Sequence, residues 1–409
     1  MGKVKKVPLW AQIFIGIAVG ILIGVVSPKA AEVISPLGDI FLNLLKMLIV
    51  PLVFFSITNG ICQMKDVKQL KSVGGRIVLY YTLSTVAAGI FGVIGGMITQ
   101  PGRNVTDLAL SAGEAAEASD FDMVENIVSW FPDNIVNAMA EANMLQIIIF
   151  CLFLGVALLA LGEKVPRMLG LIEEGNNVML KITEYVINLS PIGIMSLMAS
   201  MISTLSGAMM KEVLVFIATI DVTIVVFMAI FYPAVLKFLA KVNVFKFFKK
   251  ASASMLVAFT TTSSAATLPV SMRVAEKGLG CPQKVYGFTL PLGNTCNMDG
   301  AAIQYSVIAV FACNLFGLDI TPERIFQFIF LSLILSIGAA GVKGSGIVMS
   351  TIIIQTLIGD AGLTLIPILA AVWPTLDPFA TTANNVGDLT GTTLVSKSLH
   401  VLDEEVYNS

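Results

Sequence analysis

Three aspartates stand where the chain is otherwise apolar: Asp299 in "GNTCNMDGAA", Asp377 in "TLDPFATT" and Asp388 in "NNVGDLTG". A carboxylate at the centre of a membrane helix costs about 2.5 to 3.5 kcal/mol on insertion scales, so such groups face a cavity, an ion or a cationic partner. Asn297 precedes Asp299 by two positions, and Asn384 precedes Asp388 by four, which places this second pair on one helix face. Clusters of oxygen ligands beside a broken helix suit a hard cation such as Na⁺.

The alternative for these aspartates is a structural ion pair with lysine or arginine. Few basic residues lie at a matching depth in the apolar segments, so the sequence favours an ion or a cavity. Asp221, in "ATIDVTIVV", also lies in an apolar run. We assign it no function and expect a structural polar contact.

The composition is that of a membrane protein. Of the 409 residues, 56% are hydrophobic and 13% are charged, with a mean hydropathy of +0.87, whereas soluble domains carry about 25% charged residues. The formal net charge of −2 gives no electrostatic reason to expect a nucleic-acid partner. The single histidine, His400, argues against a His-based catalytic triad or a zinc site, and the five cysteines show no metal-ligand spacing. We therefore predict that the protein is not an enzyme.

Apolar runs predict the membrane helices. They occur at about 9–27, 38–62, 77–99, 143–162, 176–204 and 212–240. Lys3, Lys5 and Lys6 precede the first run, which we interpret as a retained helix with the N-terminus in the cytoplasm. The flanking charges then alternate consistently between the two sides over six predicted helices.

This alternation stops at residues 251–272, because basic residues flank both ends of that apolar segment. Its centre reads "FTTTSSAATLPV", so we predict a re-entrant hairpin. A membrane helix at 285–314 follows, then a second interrupted stretch at 325–358 containing "SIGAAGVKGSG", and a last helix at about 363–396. A broken hairpin followed by an Asn- and Asp-bearing helix thus occurs twice, with opposite entry. Such inverted repeats are typical of secondary transporters.

The two hairpin tips carry different residues. The hydroxyl run Thr260–Ser264 in the first hairpin favours binding of a carboxylate, although hydroxyls also bond to their own helix. Glycines at 338, 341, 344 and 346 in the second hairpin suit a mobile lid, and close helix packing is the alternative.

Four ordered motifs carry a resemblance to a known family. They are "TTSSAATLPVSMRVA", "FTLPLGNTCNMDGAA", "GAAGVKGSG" and "NNVGDLTGTTLV". With them the chain resembles the dicarboxylate/amino acid:cation symporter family, which includes archaeal aspartate transporters and animal glutamate transporters. The resemblance implies an all-α polytopic protein of the cell membrane with eight transmembrane helices and two re-entrant helical hairpins. It further implies an elevator-type transporter with cytoplasmic termini, surrounded by lipid and assembled as a homotrimer.

The resemblance also divides the single transporter unit, residues 1–409, into two parts. The scaffold and trimerisation part corresponds to about 8–63 and 126–206. The transport part corresponds to about 75–100 and 210–396, with hairpin 1 at about 246–276 and hairpin 2 at about 322–358.

Matching the family's motifs residue by residue gives two sets of binding residues. The co-transported sodium ions would be held by Tyr81, Ser84, Thr85, Gly293, Thr295, Asn297, Asp299, Ser336, Ile337, Ala339, Asn384 and Asp388. The substrate would be held by Thr262, Ser264, Val342, Gly346, Asp377, Ala380, Thr381 and Asn384. In this match Asp377 receives the amino group of an amino acid.

The match departs from the acidic-substrate members of the family at three positions. Ala380 stands where they place an arginine that grips the side-chain carboxylate, Ala301 where they place a threonine, and Thr262 where the first hairpin can carry an arginine. An unpaired buried carboxylate is costly, so we predict a small neutral amino acid such as Ser, Thr, Ala or Cys. Lys343 supports the alternative, since it could supply the missing cation for an acidic amino acid or a C4-dicarboxylate, with sodium or proton coupling.

Two other classes remain as alternatives to a symporter. An ion channel would also need polar residues within the membrane, but paired hairpins with glycine-rich tips suit alternating access better. A membrane enzyme with a serine nucleophile would need a nearby base, and His400 lies outside the apolar segments.

Overall fold

The computed structural model describes residues 9–62, 71–105, 128, 131–141, 143–204, 207–338 and 345–409. Within these residues the regular secondary structure is entirely helical. The helices are α1 Leu9–Val26, α2 Pro28–Cys62, α3 Lys71–Thr99, α4 Ile135–Ala140, α5 Met144–Leu161, α6 Pro166–Asn188, α7 Ser190–Thr204, α8 Gly207–Ala234, α9 Val244–Thr261, α10 Ser264–Arg273, α11 Gln283–Cys296, α12 Asp299–Leu315, α13 Pro322–Gly338, α14 Ser345–Ile358, α15 Ile366–Ser398 and α16 Glu404–Asn408. Two π-helical turns extend α8 and α10, at Val235–Leu239 and Val274–Gly278.

Five segments of the described chain are long and apolar enough to cross a bilayer. They are Val73–Thr99, Gln146–Lys164, Met209–Leu239, Gln283–Leu315 and Ala361–Ser398. The bent pair Pro166–Val186 and Ser190–Ser200 adds a sixth if it is counted as one span. The chain is therefore an integral membrane protein.

The single helix predicted at 176–204 is wrong in one respect. The structure divides this stretch into α6 and α7, which meet at 54°. Pro191 lies in the first turn of α7 and has no backbone N–H with which to continue the hydrogen bonding of α6. An apolar run does not reveal this bend, because both halves remain apolar.

Glycines bring α1 and α7 into backbone contact. Gly16 and Gly20 lie one turn apart on α1, and a Cβ on either would lie 2.4 Å from a backbone oxygen of α7, that of Pro191 or Met195. Only glycine allows this approach, as in the small-residue interfaces of other membrane helices. Helices α1, α2, α5, α6 and α7 form one contacting set.

A second set of contacting helices comprises α3 and α8 to α15. At its centre lies α12, where every residue except Asn314 is buried. It packs against α3, α13, α14 and α15. A helix that is apolar all round belongs in the interior of a helical assembly, and α12 carries Asp299 into that interior at its first turn.

Helices α9 and α10 form the first predicted hairpin. Thr262 ends α9 in a left-handed conformation, with φ of 50°, and the Ser263 side chain caps α10 by accepting from Ala266 N. The hydroxyls of Ser254 and Ser271 are 2.7 Å apart. In a continuous helix these residues would be separated by about 25 Å. The chain therefore folds back at this point, as the sequence predicts.

The second interrupted stretch is seen on both sides of its predicted tip. Helix α13 ends at Gly338, α14 begins at Ser345, and both contact α12. Five residues of this stretch singled out from the sequence lie outside the described residues: Ala339, Gly341, Val342, Lys343 and Gly344.

Candidate cation and solute site

The site begins with a helix break in the middle of a membrane-crossing segment. Helix α11 ends at Cys296 and α12 starts at Asp299, while Asn297 (φ −122°, ψ 90°) and Met298 (φ −121°, ψ 59°) are not helical. The break frees backbone groups, and the Gly300 N–H donates to Asn384 Oδ1 of α15 at 2.8 Å. The "NMDG" motif therefore unwinds the helix where the sequence predicts a polar interruption.

Asp299 is fully buried, with 0% of its surface exposed. Its Oδ1 accepts from Ser84 Oγ at 3.0 Å and from Thr85 Oγ1 at 3.2 Å, both on α3. Its Oδ2 accepts from the hydroxyl of Tyr232 on α8 at 2.9 Å. Only neutral groups are seen bonding this carboxylate, and the ion pairs in the described part of the chain involve other residues.

Asp388 is the second carboxylate of the cluster and is 4% exposed. Its Oδ1 accepts from Asn297 Nδ2 at 2.9 Å, and Asn297 Oδ1 in turn accepts from Ser84 Oγ at 3.0 Å. Ser84 Oγ is equally close to Asp299 Oδ1, at 3.0 Å, and its single hydroxyl hydrogen is shared between these two acceptors, so Asn297 and Ser84 lie between the two buried carboxylates.

Two glycines leave the space in which these oxygens converge. A Cβ on Gly293 would lie 2.3 Å from Asp388 Oδ1 and 2.5 Å from the hydroxyl oxygen of Tyr81. A Cβ on Gly387 would lie 2.8 Å from Asn297 Nδ2 and 2.9 Å from an oxygen of Asp299. Any other residue at either position would force the polar groups apart.

The structure thus brings together most of the predicted cation ligands. Those that lie in or beside the cluster are Tyr81, Ser84, Thr85, Gly293, Asn297, Asp299, Asn384 and Asp388. Thr295 and Ser336 instead turn their hydroxyls back to Leu292 O and Leu333 O of their own helices. The resemblance assigns backbone oxygens, not side chains, as the ion ligands at Thr295, Ser336, Ile337 and Ala339, so ion binding by these four residues stays a prediction.

The predicted solute residues lie along the hairpin tip and α15. Ser264 Oγ accepts from Asn385 Nδ2 at 3.3 Å, and Asn385 Nδ2 also donates to Thr381 O at 2.9 Å. Thr262, at the tip, donates its hydroxyl to Thr261 O. Hairpin 1 and α15 are therefore joined next to two of the predicted binding residues.

Other predicted solute residues lie on α15 or pack against it. Asp377 is half-buried, and Ala380 is 2% exposed. A Cβ on Gly346 would lie 2.1 Å from Cζ2 of Trp373, so the start of α14 packs on α15 one turn before Asp377. Val342 lies outside the described residues.

The sequence did not identify two polar residues of the site. The Tyr232 hydroxyl bridges Asp299 and Ala383 O, the latter at 2.8 Å. Asn385 forms hydrogen bonds with Ser264 and Ser271 of hairpin 1. The only signals were a tyrosine before a proline in "IFYPAV" and a second asparagine in "NNVGD". The polar contact expected at Asp221 is not found for its buried Oδ1, which has no hydrogen-bond partner among the described residues.

Comparison with known proteins gives one family. The sodium:dicarboxylate symporter family model matches residues 9–398. The chain is 29% identical over 408 residues to the proton/sodium-glutamate symport protein of Bacillus caldotenax, covering 96% of this chain and 95% of that protein. It is 30% identical over 403 residues to the C4-dicarboxylate transport protein of Bacillus subtilis, covering 97% and 94%. It is also 30% identical over 366 residues to C4-dicarboxylate transport protein 1 of Ralstonia nicotianae, covering 88% and 85%.

Proposed function

The chain belongs to the sodium:dicarboxylate symporter family, and we propose that it uses the sodium gradient to take up a small carboxylate-bearing solute. The observation that carries this proposal is the cluster of Asp299 and Asp388, buried in the membrane domain and joined through Asn297. Burying an ion in the protein interior costs several kcal/mol unless a partner compensates it. A cation bound among these oxygens would be that partner.

The proposed ligands of one sodium ion are the oxygens around Asp299. Ser84 Oγ lies 3.0 Å from both Asn297 Oδ1 and Asp299 Oδ1, and Thr85 Oγ1 lies 3.2 Å from the same carboxylate oxygen. A hydroxyl can rotate its hydrogen away and present a lone pair instead. The oxygens that bond to one another would then become ligands of a hard cation. Asp388 and freed backbone oxygens would hold a second ion.

For the solute we place an acidic amino acid or a C4-dicarboxylate first. The relatives are named for glutamate and for C4-dicarboxylates, and these names support the acidic alternative better than the neutral amino acid predicted from the sequence. Lys343 is the candidate cation for the solute's second carboxylate. An ammonium on a flexible stem can serve as such a point charge.

A small neutral amino acid is the second candidate, and Ala380 favours it. This alanine is buried, and its backbone oxygen would lie 2.3 Å from a Cβ on Gly300, so α12 and α15 are in close contact here. A methyl group at this position gives a solute carboxylate no donor. The half-buried Asp377 suits the ammonium group that both kinds of amino acid share.

Uptake into proteoliposomes under an imposed sodium gradient tests both the sodium coupling and the class of solute. Labelled aspartate and serine are offered in turn, with unlabelled aspartate, succinate, serine and alanine as competitors. If the solute is acidic, aspartate or succinate should compete at low concentration, and Lys343→Ala should remove this competition. If the solute is a neutral amino acid, serine or alanine should compete, and Lys343→Ala should have little effect on this competition. Uptake that is independent of sodium but depends on an imposed pH gradient would show that protons, not sodium ions, are co-transported. The absence of saturable uptake of all of these solutes would refute the proposal.

The proposed architecture is eight transmembrane helices and two re-entrant hairpins in a homotrimer of the cell membrane, with cytoplasmic termini. The set α1, α2, α5, α6 and α7 would be the scaffold, and the set α3 with α8 to α15 would move as an elevator. Support comes from the way the helices contact one another mainly within each set, the sets meeting chiefly along α2 and α7. Mass measurement in detergent and labelling of cysteines placed at the two termini would test assembly and orientation.

A further inference from the structure

Asn385 joins both arms of hairpin 1 to α15 through a chain of buried side chains. It is 2% exposed. Its Oδ1 lies 3.3 Å from Ser271 Oγ, and its Nδ2 lies 3.3 Å from Ser264 Oγ and 2.9 Å from Thr381 O. Ser271 Oγ is 2.7 Å from Ser254 Oγ on the other arm.

The direction of every hydrogen bond in this chain follows from one backbone carbonyl. Thr381 O can only accept, so the Asn385 atom facing it is the nitrogen. Asn385 Oδ1 therefore faces Ser271, which must donate its one hydroxyl hydrogen to it. Ser254 must then donate to Ser271.

The other end of the chain is Ser264. Asn385 Nδ2 uses its second hydrogen on Ser264 Oγ, so Ser264 accepts there, and within the described part of the chain its own hydroxyl hydrogen has no acceptor. Ser264 is the first residue of α10, at the hairpin tip, and is 4% exposed. Its own hydrogen can then be donated to a hydrogen-bond acceptor, such as a carboxylate oxygen.

We propose that Asn385 is a positioning residue that orients the Ser264 hydroxyl so that it donates its hydrogen to a carboxylate group of the solute. This inference rests on the proposed function, in that Ser264 must contact the solute. Asn385 itself acts only through Ser264.

Four variants test the proposal by calorimetry of solute binding at saturating sodium, using the solute that the uptake screen identifies. Ser264→Ala is expected to weaken binding about tenfold or more, since it removes one donor to a charged group, worth about 1.5 kcal/mol or more. Asn385→Val should weaken binding by up to the same factor, because the Ser264 hydroxyl is no longer held in the donating orientation. The double variant should be no weaker than Ser264→Ala alone, because both changes remove the same contact. Ser254→Ala is the matched control: Ser271 keeps its hydrogen for Asn385, so affinity should change less than twofold.

A purely structural role predicts different results. Effects of Asn385→Val and Ser264→Ala that multiply in the double variant, or equal losses from Ser254→Ala and Asn385→Val, would overturn the proposal. If Asn385→Val does not fold, the nearly isosteric Asn385→Asp gives the same decision. Its carboxylate takes the Ser264 hydrogen, so solute binding should fall more than tenfold while sodium-induced thermal stabilisation remains, and unchanged solute binding would contradict the inference. The absence of solute binding in the wild-type protein would instead contradict the proposed function itself.

Discussion

Replacing Asp388 by asparagine removes one negative charge from the buried cluster with little change in shape. We expect two effects of opposite sign. The sodium-free protein should become more stable, because one uncompensated buried charge beside Asp299 disappears. Sodium binding should weaken, because removing one partner of a buried charge pair typically costs about 3 to 5 kcal/mol. Three kcal/mol corresponds to about a hundredfold rise in the sodium Kd.

The size of the expected signal follows from binding linkage. Sodium at one hundred times its Kd stabilises a folded protein by about 2.7 kcal/mol. After a hundredfold loss of affinity, the same sodium concentration contributes only about 0.4 kcal/mol. Thermal unfolding of purified protein, with choline chloride replacing sodium chloride at constant ionic strength, would measure the difference. Solute affinity at fixed sodium should fall with it, because coupling between two sites is reciprocal.

Asp319→Asn is the control for this experiment. Asp319 is an exposed carboxylate in the connection between α12 and α13, so its neutralisation should leave the sodium response unchanged. If Asp388→Asn keeps the wild-type sodium dependence while Asp319→Asn behaves as expected, Asp388 is not a cation ligand.

Three further variants test the remaining parts of the site. Asp377→Asn should abolish binding of an amino acid but leave sodium binding intact, and calorimetry showing an equal loss of both would place Asp377 in an ion site. Ala380→Arg should raise affinity for aspartate and lower affinity for serine, each about tenfold in competition uptake, because a guanidinium pairs with a carboxylate and is costly when left unpaired; unchanged selectivity would remove position 380 from the site. Gly293→Ala should weaken sodium binding at least about tenfold, because its Cβ would lie 2.3 Å from Asp388 Oδ1. Gly287→Ala on the same helix, where the nearest atom is 3.9 Å away, should leave the sodium titration unchanged, and similar titrations for both variants would refute the packing argument.

The free-energy cost of placing polar groups in apolar segments made part of this site predictable from the sequence. A carboxylate in an apolar segment demands compensation, and an Asn–Asp pair beside glycine interrupts a helix, so the break at Asn297 and Met298 follows from residue types alone. The fold-back between α9 and α10 follows in the same way from a polar run with basic residues at both ends. Both features are local in the sequence.

Features that depend on distant contacts could not be predicted in this way. Tyr232 meets Asp299 across 67 positions, and Asn385 meets Ser264 across 121. The presence of a tyrosine or an asparagine in an apolar helix does not indicate which distant residue it contacts. The start of α2 differs from the prediction for another reason: its first residues, from Pro28, are helical but not apolar, whereas the apolar run begins at 38.

Substrate class depends on a small difference between a few contacts. With the buried Ala380 in place of an arginine, the side-chain carboxylate of an acidic solute lacks a cationic partner. The relatives' names nevertheless point to solutes with two carboxylates. Both observations hold together only if another cation, such as Lys343, replaces the arginine. For this reason the Lys343→Ala competition experiment separates the two candidates more directly than any variant of Ala380.

The cation cluster and the solute residues meet at Gly300, which follows Asp299 directly in the chain. Its N–H donates to Asn384 Oδ1, and Asn384 precedes Asn385, which bonds hairpin 1. A Cβ on Gly300 would lie 2.3 Å from Ala380 O, so the backbones of α12 and α15 are in direct contact at the helix break. Close-packed interiors transmit a displacement rather than absorb it. A cation that reorganises the break around Asp299 would therefore move the groups of α15 that are proposed to bind the solute, and solute binding there would act on the cation site through the same contact.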